Sequence, residues 1–228
     1  MSHANGATSF DSLDLVPEVN EVLRYLGYPA GASPSARILD SVHRAIDTSR
    51  GRLRPRGTYT LYDVAAQDPR SLTLSCGATF TGDVGEFLGH STRVAVFLAT
   101  AGQEIVSLAE AALRARDTLA GLAYNALGSH LADAAGERLI ADLHRHLAPG
   151  ESLTLQYSPG YCGISLAQQR LIFQLVDATR LGVELLPSLI MRPVKSVSGL
   201  IGIGPQGAVQ AYGNPCQRCP SLDCRMRR

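Results

Sequence analysis

Apolar residues recur along the chain with two spacings, and the switches between them mark out the elements. Val16, Val19, Val22, Leu23 and Leu26 are spaced for one face of a helix that stops at Gly27. Ile38, Leu39, Val42 and Ile46 predict a second helix from about Pro34, behind Ser33 as N-cap, to Ser49. The β-branched and aromatic run 58–64 predicts a strand, with 72–74 as a partner. Residues 83–88 read as a short helix, and 93–100 are nearly continuously apolar, which predicts a central strand buried on both faces. Helical spacing then covers 104–115 and 118–146. The second of these is long and rich in Ala and Leu, with Leu119, Leu122, Ala126, Leu131, Ala135, Leu139 and Leu143 in a broad apolar stripe. The remainder alternates: strand 152–157, helix 166–177, strands 183–191 and 197–204, and 207–212 as a hairpin partner. Such interspersion predicts an α+β fold, a mainly antiparallel sheet flanked by helices that include one long Ala-rich helix.

Composition narrows the class. With 228 residues, 45% of them hydrophobic and 18% charged, the chain is long enough to bury a substantial core. It divides into a flexible polar lead over 1–14, one module over 15–213 and a cysteine-rich tail over 214–228. A formal net charge of +1 provides no general field for nucleic acid or an anionic membrane, so neither is expected as a partner. No apolar run reaches the roughly 18 residues that span a bilayer, and the polar N-terminus lacks a signal peptide's basic and apolar regions. A cytoplasmic location is expected.

Most generic chemistry is excluded by spacing. Gly202–Pro205 and Thr100–Gly102 fit neither GxGxxG nor GxxxxGK[ST], and the only lysine, Lys195, lies elsewhere. There is no GxSxG elbow to support a hydrolase, and His43, His130, His144 and His146 fall on helices. No catalytic residue is assigned. The turn Gln156-Tyr157-Ser158-Pro159-Gly160-Tyr161 stands out: Pro159 fixes φ, Gly160 admits φ > 0 and close approach by a ligand or another backbone, and Tyr161 offers a ring and a hydroxyl. Taken alone, it also fits a strand-to-helix turn whose tyrosines cap a core.

The order of this turn, an amphipathic helix and the segment Met191-Arg192-Pro193-Val194-Lys195-Ser196-Val197-Ser198-Gly199 resembles the S-adenosylmethionine-binding activation domain of cobalamin-dependent methionine synthase. Upstream, residues 82–105 and the Ala-rich helix fit a stand-alone version, so the resemblance runs from about Leu15 to Gly204. It implies an accessory protein for reductive activation of a cobalamin-dependent methyltransferase. Such a protein binds S-adenosylmethionine, docks on a separate corrinoid-binding chain and draws an electron from a low-potential donor. Cobalamin enters only through the partner, because no DxHxxG motif is present. By position, Pro159, Gly160 and Tyr161 match the family turn, Ser158 takes a place where small residues meet the ligand through backbone, and Asp133 aligns with an acid that faces the ligand's cationic end. A solvent-facing helix position is the other reading of Asp133. Gln156 departs from the family, which has an arginine there that holds the ligand carboxylate; an amide can hydrogen-bond that group but cannot pair its charge.

Cys216, Cys219 and Cys224 form a CxxC followed by four residues and a third Cys, a compact thiolate set outside the resemblance. With Cys162 as fourth ligand, preferred to Cys76, they would hold an iron–sulfur cluster or zinc, which spacing does not separate. Free thiols or a redox CxxC pair remain the other readings. A cluster without S-adenosylmethionine would make a redox activator of corrinoid proteins, and zinc would make a stapled scaffold.

Overall fold

A long helix laid across an antiparallel sheet organises the molecule, in a computed structural model that describes residues 4–29, 31–161 and 163–209. In chain order the strands are β1 Ala4–Phe10, β2 Arg56–Asp68, β3 Ser71–Leu74, β4 Thr79–Thr81, β5 Arg93–Thr100, β6 Glu151–Tyr157, β7 Glu184–Leu185, β8 Met191–Arg192 and β9 Ser196–Pro205. The helices are α1 Val19–Tyr25, α2 Ala36–Ser49, α3 Val84–Phe87, α4 Gln103–Arg114, α5 Thr118–Arg145, α6 Gln169–Leu175 and α7 Gln206–Val209. The main sheet runs β4-β3-β2-β5-β9-β6, with β1 added to β2, and its pairs are antiparallel. The predicted α+β class is therefore the observed one.

Period-two alternation divides the core. On β5, Val94, Val96 and Leu98 face a cluster with Phe87, Ile164, Ile172 and Leu181, while Ala95, Phe97 and Ala99 face α5 through Ala135, Leu139 and Leu143. The strand is buried on both faces, as its apolar run predicts. Burying one ring such as Phe97 is worth roughly 1.5–3 kcal/mol. α5 starts where the Asp117 side chain accepts from the Ala120 N–H at 3.0 Å, which satisfies one of the free donors of the first turn. A glycine of the sheet lets the helix come close: a Cβ on Gly57 of β2 would lie 3.0 Å from Leu139 of α5. α1, α2 and α4 pack on the other side of α5 through Val22, Val42, Ile46, Ile105, Leu127 and Leu131.

Several expectations are corrected. Residues 4–10 of the expected flexible lead form β1, held to β2 in part by hydroxyls, with Ser9 Oγ and Thr58 Oγ1 2.9 Å apart. A polar edge strand carries no hydrophobic period to betray it. The expected strand 183–191 is instead two short strands, β7 and β8, joined by a loop that includes Pro187. Helix 166–177 begins as a 3₁₀ turn over Leu166–Gln168 before α6. Of the proposed partner strand 207–212, residues up to Val209 belong to α7, and 210–212 lie outside the described residues. No helix among the described residues is long and apolar enough to cross a membrane.

Candidate functional site

The end of β6 delivers the turn, and an irregularity in that strand decides which way it points. Leu153 pairs with Ile203 but Gln156 with Ile201, so β6 carries one residue more than β9 over this step. Thr154 supports the bulge: its Oγ1 accepts from the Gly202 N–H at 2.9 Å and donates to the Leu155 carbonyl at 2.8 Å. Residues three apart on a regular strand face opposite ways; the extra residue returns Gln156 to the α5 side, where Leu153 also packs. There the Gln156 Oε1 lies 3.7 Å from where a Cβ on Gly136 of α5 would stand. Tyr157 consequently points to the opposite face and stacks on Phe87, centroids 4.8 Å apart.

The turn itself is tightly closed. The Tyr161 N–H donates to the Ser158 carbonyl at 3.2 Å, the Ile164 N–H to the Tyr161 carbonyl at 3.0 Å and the Gly160 N–H to the Ile164 carbonyl at 2.8 Å. Gly160 has φ +91°, the left-handed conformation that its Pro-Gly context predicts. Pro159 is buried, Ser158 half-buried, Gln156 exposed, and Tyr161 is 72% exposed. β9 supports the turn from beneath at Gly199, where a Cβ would meet the Tyr157 carbonyl oxygen at 2.5 Å and Ser158 Oγ at 3.1 Å. From the side, the Gln168 amide clamps β4: Oε1 accepts from the Thr81 N–H at 2.7 Å and Nε2 donates to the Thr81 carbonyl at 2.6 Å.

Asp133 lies on α5 one turn before Gly136, half-buried, and accepts a hydrogen bond from the Tyr25 hydroxyl of α1. The Tyr25 phenol is pushed up to about 12, first by burial and then by the Asp133 carboxylate beside it. Asp133 is therefore neither a plain solvent-facing residue nor in a described hydrogen bond with the turn; its partner comes from α1. One turn earlier, buried His130 accepts from the Glu18 N–H through Nε2 at 3.2 Å, and burial holds its pKa below the ordinary histidine range.

The structure thus brings Gln156, Ser158, Pro159, Gly160 and Tyr161 together by chain continuity and sets Gln156 against the helix that carries Asp133. The sequence reading missed Thr154, Gly136, Gly199, Gln168 and Tyr25. A glycine inside a strand pattern signals close backbone approach and marks Gly199; nothing local marks Tyr25, 108 residues from its partner. Cys162, Cys216, Cys219 and Cys224 lie outside the described residues. Among the described residues, no group of three or more His, Cys, Asp or Glu is placed to hold a metal ion.

Comparison with known proteins finds a family model and solved structures of like fold. A family model described as the activation domain of vitamin B12 dependent methionine synthase matches residues 83–214, more than half of the 228. A crystal structure of the MetH reactivation domain bound to AdoHcy superposes with a TM-score of 0.68 at 19% identity, covering 90% of this chain and 80% of that one, so the two share a fold. No curated protein matches.

Proposed function

The chain belongs to the family of vitamin B12 dependent methionine synthase activation domains, and on that premise we propose that it binds S-adenosylmethionine at residues 156–161 and serves reductive activation of a corrinoid-dependent methyltransferase. The observation that carries this reading is the approach of Gln156 to Gly136 of α5, one turn from Asp133, on the same turn that exposes Tyr161. The AdoHcy bound to the reactivation domain of like fold supports the ligand class.

Bound S-adenosylmethionine supplies an electrophilic methyl group, to be passed to a partner's reduced corrinoid. The chain's own residues bind and orient. The Gln156 amide donates to the ligand carboxylate, the Asp133 carboxylate attracts the cationic end, Ser158 and the closed turn provide backbone contacts, and Tyr161 offers its face to the adenine. Asp133 keeps its orientation through Tyr25, so the acid is held before ligand arrives. Docking on a corrinoid-binding chain, and an electron from a low-potential donor, complete the proposed cycle. Cys162, Cys216, Cys219 and Cys224 enter it as the ligands of an iron–sulfur cluster or zinc, which iron, sulfide and zinc analysis of anaerobically purified protein decides.

Calorimetric titration with S-adenosylmethionine tests the reading. Saturable binding is expected, and Gln156→Arg, by restoring a charged partner for the carboxylate, should tighten it by about 10- to 150-fold, the equivalent of about 1.5–3 kcal/mol. Absence of binding at millimolar ligand in both proteins would sink it.

A further inference from the structure

α4, α5 and the segment before β9 enclose a cavity of about 250 Å³ that shares no lining residue with the turn at 156–161. Its walls are apolar: Ile105, Val106, Ala109, Leu113, Leu122 and Val194. Leu113, Leu122 and Val194 are 51%, 49% and 57% exposed, so three of the chain's large exposed apolar side chains converge on this one opening. Such a concentration marks a binding surface more than scattered exposure does.

One cation is built into the wall. The stem of Lys195 is laid on α5 where Gly128 lacks a side chain; a Cβ there would lie 2.9 Å from Lys195 Cγ. Its ammonium donates to Ser129 Oγ at 2.8 Å, and that hydroxyl is turned to accept because its own proton goes to the Asn125 carbonyl at 3.2 Å. Among the described residues no carboxylate forms an ion pair with Lys195. Glu110, also at the cavity, is taken by Arg114 at 3.6 Å. Burial pushes the Lys195 ammonium below the ordinary lysine range, which is the response of a cation short of compensation.

We propose that this cavity binds a medium-chain aliphatic carboxylate, with its tail among Ile105, Ala109, Leu113 and Leu122 and its carboxylate paired with the Lys195 ammonium. An apolar protein cavity of about 150 Å³ accommodates benzene, so 250 Å³ takes about ten non-hydrogen atoms in proportion, the size of octanoate. A single ammonium matches a single negative charge. A phosphate, with more charge and Glu110 nearby, would find no second cation in the lining. The site is independent of the S-adenosylmethionine reading.

Lys195 is the only lysine, which makes the test selective. Reductive methylation with ¹³C-formaldehyde labels Lys195 and the terminal amine while keeping both cationic. Titration of the labelled protein with octanoate should move the Lys195 resonance saturably at millimolar ligand, and octanol or acetate should bind at least about tenfold more weakly. Lys195→Met, which keeps the stem on Gly128, and Ala109→Leu, which fills the cavity and leaves the cation, should each weaken octanoate binding by about tenfold or more in calorimetry. An unmoved resonance, an equal response to acetate, or full octanoate affinity in Lys195→Met or Ala109→Leu would overturn the proposal.

Discussion

Two Gly→Ala substitutions on elements that face each other should change stability in opposite directions. At Gly199 the new Cβ would stand 2.5 Å from the Tyr157 carbonyl oxygen and 2.9 Å from Phe97 Cε1. The first of these is backbone, in register with β9 through the Tyr157–Leu200 pair, and cannot rotate aside. The end of β6 must therefore lift off β9, at the cost of about 1–3 kcal/mol typical of overpacking. For a chain of this size that lowers Tm by about 2–12 °C. At Gly136 the nearest atoms to a new Cβ are Val197 Cγ2 at 3.4 Å, Gln156 Oε1 at 3.7 Å and Phe97 Cε2 at 3.8 Å, all ordinary contacts. Alanine in the interior of α5 then gains up to about 1 kcal/mol of helix propensity, and Tm rises by about 2–4 °C. Thermal unfolding by circular dichroism, with urea midpoints to give free energies, reads both. An unshifted Gly199→Ala protein, or a Gly136→Ala protein that melts lower than the parent, would refute the packing argument. In ligand titrations both should bind S-adenosylmethionine more weakly, the first because the turn moves and the second because its methyl comes against the Gln156 amide.

Tyr25 should ionise late in an ultraviolet titration: its folded value of about 12 exceeds the ordinary 10.0, so its contribution to stability is complete below pH 10 and is lost as pH rises toward 12. Tyr25→Phe should reduce that late phase and, by leaving half-buried Asp133 without its donor, cost about 1 kcal/mol in urea unfolding. His130 gives the opposite dependence. Its folded pKa lies below the ordinary 6.5, so the neutral ring that accepts from Glu18 stabilises above that value, and the contribution is lost as pH falls below it. Urea midpoints should fall from about pH 8 to pH 5 by less in His130→Gln than in the parent; equal slopes would remove His130 from the account.

What the sequence determined alone was whatever a single element records about its own faces. The unbroken apolar run of β5 states burial on both sides, the Ala and Leu stripe of α5 states a helix that sheet and helices both approach, and Pro159-Gly160 states a turn with a left-handed glycine. Each follows from local sterics and the period of the side chains, so no partner need be known to read it. Tertiary structure decided the rest. The alternation of Leu153, Leu155 and Tyr157 reads as one face of a plain strand. Only the pairing with β9, and the Thr154 hydroxyl that bridges it, inserts the bulge that leaves Leu155 half exposed and swings Gln156 toward Gly136. Polar β1 became a strand because β2 had an edge to offer, and Asp133 acquired Tyr25, and Lys195 its bed on Gly128, across 108 and 67 positions of chain. Those contacts exist only once loops are closed and registers chosen, and a periodicity confined to neighbours of three or four residues carries no trace of them.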